Sequence, residues 1–268
     1  MSDEGDGACD GAGDGAGGFR NAYDDAARAA SYDQLEYPGT YHLAFRDLPG
    51  LLARWAPAPA GAAALDFGCG AGRSTRFLKG LGWDACGADI SAAMLERARA
   101  RDPGGRYAQV ADGDLGDAAP GPFGVILSAF TFDNIPGHER KVALLSQLRS
   151  RLAPGGRLLN LLSAPEIYTH EWLSFSTRDY PGNRAARTGD VVRIVMLDVP
   201  DRRPVEDVLC ERGDYLAAYA AAGLRRVCEH RPLGRADEPF AWVSETTVAP
   251  WVIDVLEADP ADAGAPIS

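Results

Sequence analysis

The feature that most constrains this chain is a regular alternation of apolar and helix-like runs between residues 61 and 163. The run "AAALDF" predicts a short strand, and "GRSTRFLKGLG" predicts a helix that ends at glycine. The runs "WDACGADI" and "SAAMLERARARD" repeat the pair, with Ser91 as the N-cap of the second helix. Three more apolar runs, in "GRYAQVAD", "FGVILSAF" and "RLLNLLS", complete five strands. This rhythm predicts an α/β fold, a doubly wound and mostly parallel sheet with helices on both faces.

After residue 163 the alternation stops. An aromatic stretch, "PEIYTHEWLSFSTRDYPGN", precedes a predicted hairpin at 191–209, and one helix and two strands follow, in "GDYLAAYAAAG", "LRRVCEHR" and "APWVIDVLEA". We therefore expect one domain at 61–258 with an inserted substrate cover at 164–212. The flanking predictions are a disordered acidic tail at 1–18, a helical lid at 19–60 that carries Tyr23, Tyr32, Tyr37, Tyr41 and Phe45, and a flexible C-terminus at 259–268.

Charge and cysteine content argue against several classes of function. The net charge is −11, and no Lys/Arg cluster forms the basic face that a nucleic-acid partner requires. No apolar run reaches the roughly 18 residues of a membrane span. The five cysteines are scattered and contain no CxxC pair, so the sequence indicates neither a metal site nor a disulfide framework. We expect a cytoplasmic protein without a nucleic-acid or membrane partner.

A glycine-rich segment, "LDFGCGAG", follows the first strand directly. A strand that runs into such a turn and then into a helix brings backbone N–H groups against a ligand. The glycines Gly68, Gly70 and Gly72 have the spacing GxGxG, whereas the dinucleotide fingerprint is GxGxxG. Asp66, two residues before the first glycine, would repel a pyrophosphate and attract an ammonium group. Both observations favour S-adenosylmethionine, which carries an ammonium and an adenosine and has no phosphate.

A second acid, Asp89, ends the second strand 21 residues after Gly68. An acid at this position can accept hydrogen bonds from both ribose hydroxyls, in NAD as well as in S-adenosylmethionine. It does not distinguish the two ligands, but the loop spacing disfavours an NAD-dependent oxidoreductase. A protein that binds S-adenosylmethionine as a sensor, or for a reaction other than methylation, stays open as an alternative.

The chain resembles the class I S-adenosylmethionine-dependent methyltransferases in the order of its motifs. "LDFGCGAG" is similar to the first motif of that family, "ADIS" to the acid of strand two, and "ADGD" to the turn that contacts adenine. "LSAFTFDNI" and "LRSRLAPGGRLLNL" resemble the strand-four motif and the entry to strand five. The match covers about residues 61–163, with a weaker match at 213–257. The resemblance implies a seven-stranded sheet whose last strand is antiparallel, and S-adenosylhomocysteine as the product.

The resemblance also implies roles for particular residues. The expected contacts of the methionine and ribose are Gly68, Cys69, Gly70 and Ala71, with Asp66 for the ammonium, directly or through water, and Asp89 for the ribose. Ile90, Met94, Asp112, Gly113 and Asp114 are expected around the adenine, and Ser128, Ala129 and Phe130 near the sulfonium. Arg46 is a candidate partner of the cofactor carboxylate, and a surface ion pair is the alternative.

The acceptor side is less defined by the sequence. His170 and His138 are the candidate catalytic bases, although methyl transfer needs a base only if the acceptor must lose a proton. A helix-start surface position is the alternative for His138. Asp133 and Asn134 follow the fourth strand and could bond a polar acceptor or cap the next helix. The expected substrate contacts are these two residues with Tyr41, Tyr168, His170, Trp172 and Phe175, and packing without a ligand is the alternative for the aromatic residues.

Together these observations predict methyl transfer from S-adenosylmethionine to the oxygen or nitrogen of a small molecule. The cover and lid favour an enclosed, partly aromatic pocket, and the expected setting is secondary metabolism. A monomer or a homodimer is expected, with the hairpin at 191–209 as a candidate dimer contact.

Overall fold

The computed structural model describes residues 38–57 and 61–260. The predicted tail at 1–18, the tyrosines Tyr23, Tyr32 and Tyr37 of the predicted lid, and residues 261–268 of the predicted C-terminus lie outside the described residues. In the part of the chain that the structure describes, no helix has the length and apolar character needed to cross a bilayer.

The elements follow in chain order. Two helices come first, α1 (Thr40–Arg46) and α2 (Leu48–Trp55). The alternating part consists of β1 (Ala63–Phe67), α3 (Arg73–Gly80), β2 (Asp84–Asp89), α4 (Ala92–Arg101), β3 (Arg106–Gln109), β4 (Phe123–Ala129), α5 (His138–Ser150) and β5 (Leu152–Ser163). The last part consists of β6 (Phe175–Ser176), β7 (Val191–Met196), β8 (Val205–Val208), α6 (Arg212–Ala221), β9 (Leu224–His230) and β10 (Trp251–Ala258). Short 3₁₀ turns occupy Phe132–Asn134, Pro165–Tyr168 and Pro181–Ala185.

Seven strands form the main sheet in the order β3-β2-β1-β4-β5-β10-β9. The first five pair in parallel, and β10 is antiparallel to both of its neighbours. The predicted doubly wound sheet and its antiparallel last strand are confirmed. The fifth strand begins at Leu152, ahead of the predicted "RLLNLLS", and its register shifts opposite Phe123 and Val125 of β4. The predicted N-cap is also present, because the Ser91 hydroxyl accepts a hydrogen bond from the backbone N–H of Met94.

Alternating side chains of the parallel strands enter two separate cores. On β1, Ala64 lies in the core that packs against α1, α2 and α3, and Leu65 lies in the core that packs against α5 and α6. Because side chains of a strand point to opposite faces in turn, one apolar run can supply both cores. Helices therefore cover both faces of the sheet and leave the ends of the strands for a ligand.

The N-terminal helix α1 is fastened to the cover and to the last strand. The Thr40 hydroxyl donates to Glu245 Oε1 at 2.6 Å, and the Thr40 N–H donates to Ser174 Oγ at 2.8 Å. The indole N–H of Trp251 donates to the Thr40 carbonyl at 2.8 Å. All four residues are buried. These contacts orient the next residue, Tyr41, toward the ends of the central strands.

The predicted hairpin is present as β7 and β8, which pair antiparallel from Val191 opposite Val208 to Ile194 opposite Val205. The short strand β6 pairs with the other edge of β7. This three-stranded sheet lies against the turn at 132–134, which follows β4. The cover is therefore positioned over the end of β4, next to β1, where the strand order of the main sheet changes direction.

Candidate functional site

The glycine loop connects β1 to α3 at the carboxyl end of the sheet. Gly68, Gly70 and Gly72 have φ angles of 73°, 51° and 76°, which L-residues with side chains rarely adopt. The N–H groups of Gly68 and Cys69 both donate to the Ala88 carbonyl of β2, at 2.8 and 3.1 Å. The loop is therefore held against the neighbouring strand, and its bare Cα positions form one wall of a cavity.

Asp89 fixes the loop from the end of β2. Its Oδ2 accepts a hydrogen bond from the Gly70 N–H at 2.8 Å, and its Oδ1 accepts one from the Ser91 N–H at 2.8 Å. A carboxylate can accept about four hydrogen bonds, so these two contacts are compatible with additional hydroxyl donors. Asp89 also lines the cavity, which is where the predicted ribose contact requires it.

Asp66 lies under the loop and not on the cavity wall. Its Oδ2 accepts hydrogen bonds from the hydroxyls of Ser74 and Thr75 at 2.7 and 2.6 Å, and its Oδ1 has no hydrogen-bond partner among the described residues. Burial raises the pKa of this fully enclosed carboxyl from 3.8 to about 6. The expected direct contact with an ammonium does not fit this position. Asp66 instead ties the first turn of α3 to β1, and a contact through water stays a prediction.

A cavity of about 350 Å³ joins the loop to the cover. Of the residues predicted to bind the cofactor, those on its wall are Gly68, Cys69, Gly70, Ala71, Asp89, Ile90, Met94, Asp112, Gly113, Ala129 and Phe130. The wall beside Asp89 is mostly apolar, with Ile90, Met94, Val110 and Leu115. Asp112 forms an ion pair with Arg140 at the edge of this region. An apolar slot next to a carboxylate suits an adenosine, whose base is flat and whose ribose carries two hydroxyl donors.

Four residues predicted to bind the cofactor lie elsewhere, Asp66 being one of them. Arg46 forms ion pairs with Asp47 at 2.8 Å and Glu238 at 2.7 Å, so the surface alternative is correct for it. Asp114 is exposed, and its Oδ1 accepts the Gly116 N–H within the turn after β3. Ser128 is fully buried inside β4 and does not reach the cavity wall.

Arg73, which the sequence reasoning missed, provides a cation in the cavity. It is the first residue of α3, directly after the glycine loop. Its guanidinium carbon lies 5.4 Å from the ring centroids of Tyr41 and Phe45 of α1. Its position immediately after "GCGAG" was the available signal. Arg73 replaces Arg46 as the candidate partner of a cofactor carboxylate.

The candidate catalytic histidines do not line the cavity. His138 is exposed at the start of α5, so the alternative of a surface position at a helix start is correct for it. The His170 Nδ1 lies 3.1 Å from the Glu166 carbonyl and 3.0 Å from Thr169 Oγ1, in a separate recess. The structure therefore places both imidazoles away from the cofactor loop, and neither histidine fits the predicted catalytic role.

The predicted substrate contacts divide into two groups. Tyr41, Asp133, Asn134 and Phe175 lie on the cavity wall. Trp172 is in the core, where its indole N–H donates to the Ile167 carbonyl at 2.8 Å. Tyr168 is buried behind the wall, and its hydroxyl donates to Asp207 Oδ2 at 3.0 Å. Packing is thus the correct alternative for Trp172 and Tyr168.

Strands far apart in the sequence complete the wall at the acceptor end. Trp251 enters from the first position of β10, and Val191, Ile194, Glu206 and Asp207 enter from the hairpin. No local pattern marks these residues as ligand-facing, because their direction depends on how the hairpin docks. Among residues 38–57 and 61–260 no group of three His, Cys, Asp or Glu side chains could hold a metal ion.

The residues present fit S-adenosylmethionine. Asp89 can meet the ribose, the apolar slot can take the adenine, and Arg73 can pair with the carboxylate. At Gly68 a Cβ would stand 2.1 Å from Thr131 Oγ1, so this position has no room for a side chain. The loop therefore presents bare backbone to the ligand space. The site thus has apolar, anionic and cationic parts that match the three parts of this cofactor.

Comparisons with known proteins agree with this geometry. Residues 65–158 match a family model described as a methyltransferase domain. A trans-aconitate 2-methyltransferase of Variovorax paradoxus (strain S110) is 31% identical over 223 residues, which cover 78% of this chain and 76% of that protein. An N-demethylindolmycin N-methyltransferase of Streptomyces griseus is 28% identical over 220 residues, with 80% and 89% covered. The solved structure of the glycopeptide N-methyltransferase MtfA in complex with S-adenosylmethionine has a similar fold, with a TM-score of 0.56, 15% identity, and 82% and 94% covered.

Proposed function

We propose that this protein methylates an oxygen or nitrogen of a small molecule enclosed beneath the cover. The chain belongs to the S-adenosylmethionine-dependent methyltransferases. The observation that supports this proposal is the continuity of the cavity, whose wall includes both the glycine loop and the hairpin β7–β8. A donor on the loop and an acceptor under the cover would share one enclosed space.

When bound, S-adenosylmethionine supplies a methyl group on a positively charged sulfur. The protein then has to align the acceptor with that carbon and keep water out. Asp89 and Arg73 would hold the two polar ends of the cofactor, and this fixes the direction in which its methyl group points. The aromatic side chains of Tyr41, Phe130 and Trp251 would shield the reacting atoms from water.

The names of the relatives and the elements around the cavity support a small acceptor. The curated relatives are named for trans-aconitate and N-demethylindolmycin, both small molecules. The hairpin and α1 both contribute residues to the cavity wall, so an acceptor there would be bounded by both elements. A role in secondary metabolism, a cytoplasmic location and a monomeric or homodimeric state stay predictions.

The proposal is tested by calorimetric titration of the pure protein followed by turnover. S-adenosylmethionine and S-adenosylhomocysteine should bind at micromolar concentration, and NAD should not bind. Labelled methyl from S-adenosylmethionine should then appear in pools of small amines, alcohols or phenols. Binding of both sulfur ligands without transfer to any pool would favour a sensor or a non-methylating role.

A further inference from the structure

We propose that the acceptor is an amine, received at the cavity end where the aromatic box of Tyr41, Phe130, Phe175 and Trp251 meets the carboxylates of Asp133 and the hairpin. The inference rests on the proposed function, because it names the acceptor class of the same cavity. The cavity and its aromatic wall define the place. The charges on that wall decide which chemistry is admitted.

The aromatic box is built from four elements of the fold. The Phe130 and Trp251 ring centroids are 4.7 Å apart, and the Tyr41 ring stacks on Trp251 at 5.6 Å. Phe175 meets Tyr41 edge-on at 5.1 Å. Phe130 is the one described non-glycine residue with positive φ, at 61°. Such a conformation is maintained only where the surroundings impose it, and here it turns the ring into the box. Aromatic faces of this kind attract cations.

Carboxylates are the charged groups that line this end of the cavity. They are Asp133 in the turn after β4, and Glu206 and Asp207 on β8. In the described part of the wall the two arginines, Arg73 and Arg76, both belong to α3 beside the glycine loop. Arg73 borders the aromatic box at the Tyr41 ring, and the other charged side chains at the acceptor end are the three carboxylates.

Asp133 is linked to the aromatic box through Ser163, which is the β5 partner of Trp251 in the main sheet. Its side chain is 5% exposed, and its Oδ2 accepts the Ser163 N–H at 2.9 Å. The Tyr215 hydroxyl lies 3.4 Å from Oδ1, which is long for a hydrogen bond to a carboxylate. Oδ1 thus retains capacity to accept a strong donor such as an ammonium N–H. Burial raises the pKa of Asp133 above its ordinary value, which suits a group that takes up a proton.

Two cations lie near these carboxylates and do not line the cavity. Lys141 is 3% exposed behind the 132–135 turn, where its Nζ donates to the Phe132 and Ile135 carbonyls. Arg193 pairs with Glu206 on the exposed face of the hairpin. A ligand that contacts the 132–134 turn and β8 therefore meets the carboxylates before these two cations. An anionic acceptor would lose its hydration against groups of its own charge, which disfavours carboxylates.

The chemistry balances with an amine. An ammonium that enters the site gives one proton to Asp133, and the freed nitrogen lone pair forms a bond to the methyl carbon. The bond between that carbon and sulfur breaks, its electron pair stays on sulfur, and the sulfonium becomes a neutral thioether. The methylated nitrogen leaves as an ammonium, and Asp133 releases its proton to solvent.

The test compares three pools of small molecules matched in size: amines, carboxylates, and neutral alcohols and phenols. Methyl transfer from labelled S-adenosylmethionine is counted for each pool, and S-adenosylhomocysteine affinity is measured in parallel. We expect at least about tenfold more methyl in the amine pool than in either other pool. Carboxylate or hydroxyl acceptors methylated faster than amines, or no transfer to amines, would overturn the inference. Failure of the proposed function is a separate result, since S-adenosylhomocysteine would then not bind, or no pool would be methylated.

Variants locate the effect on Asp133. Asp133→Asn keeps an oxygen for the Ser163 N–H and removes the charge, so kcat/KM for the best amine should fall about tenfold or more, with S-adenosylhomocysteine affinity within about twofold of wild type. The exposed Glu206→Gln should raise KM for the amine and remain folded. Asp237→Asn, an exposed carboxylate off the cavity, is the matched control and should leave both values unchanged. Wild-type kcat/KM in both cavity variants would overturn the assignment.

Discussion

A Cβ placed on Gly68 would stand 2.1 Å from the Oγ1 of Thr131, so the loop after β1 and the loop after β4 are in contact with no room for a side chain. The Thr131 hydroxyl in turn donates to the Phe67 carbonyl at 3.0 Å, one residue before the glycine. The glycine loop after β1 and the loop after β4 are thus joined at this contact.

Gly68→Ala should displace the loop, because real Cβ atoms do not approach other atoms this closely and because φ at Gly68 is 73°. S-adenosylmethionine affinity should fall by about tenfold or more, measured by calorimetry. Gly61→Ala is the control, since Gly61 has a φ of 80° and nothing within 4 Å of an added Cβ. It should lower stability by about 1 kcal/mol and leave affinity unchanged. Equal affinity in both variants would contradict the contact.

Asp89→Ala should weaken S-adenosylmethionine binding by about 1 to 3 kcal/mol, because two ribose hydroxyls lose a charged acceptor and the Gly70 N–H loses its anchor. The affinity of Asp89→Asn should lie between those of Asp89→Ala and wild type. Glu96→Ala, an exposed change on α4, serves as the control. Wild-type affinity in Asp89→Ala, by calorimetric titration, would refute the ribose assignment.

Arg73→Gln should lower cofactor affinity, whereas Arg46→Gln should lower stability. Arg73 lines the cavity, so its loss should reduce S-adenosylmethionine affinity by about tenfold or more through the missing carboxylate partner. Arg46 is engaged by Asp47 and Glu238, so its loss should lower the melting temperature and leave affinity unchanged. Calorimetry and thermal unfolding of both variants separate the two roles. The reverse pattern would restore Arg46 as the carboxylate partner.

Asp66 should make stability depend on pH in a specific direction. Burial raises its pKa from 3.8 in an unfolded chain to about 6, so the folded protein binds the proton more tightly. The contribution of Asp66 to the free energy of unfolding is therefore fully present below about pH 4. It is lost as pH rises from about 4 to about 6, and it does not change further above that range. Over the window it amounts to about 3 kcal/mol.

Asp66→Asn cannot ionise, and its amide oxygen can still accept the Ser74 and Thr75 hydroxyls. Urea unfolding at pH 4, 5, 6 and 7 should show a smaller loss of stability across the window for this variant than for wild type. Asp133 titrates in the same direction in both proteins and cancels from the difference. Asp237→Asn provides the exposed control. Parallel curves for Asp66→Asn and wild type would contradict the raised pKa.

The sheet and the cofactor loop could be predicted from the sequence because their determinants are local. Strand–helix alternation sets a parallel sheet, and parallel strands bring their carboxyl ends to one edge. Gly68, Gly70 and Asp89 each end or follow a strand, so they meet at that edge whatever the rest of the chain does. The loop spacing and Asp66 already favoured S-adenosylmethionine, and the resemblance to a family pointed to the same ligand, although Asp66 lies under the loop and not on the cavity wall.

The acceptor end was decided only by tertiary structure. Arg73 and Arg46 both sit in plausible sequence contexts, yet one faces the cavity and the other is held by Asp47 and Glu238. His170 follows strand five as a ligand-binding residue would, but it comes after the 3₁₀ turn Pro165–Tyr168 and lines a different recess. Trp251 reaches the cavity because β10 pairs with the distant strand β5, and Asp207 reaches it because the hairpin docks against the turn after β4. Such contacts depend on how the cover docks onto the sheet. The docking in turn depends on packing between segments more than 100 residues apart along the chain, for example the hydrogen bond between Thr40 and Ser174.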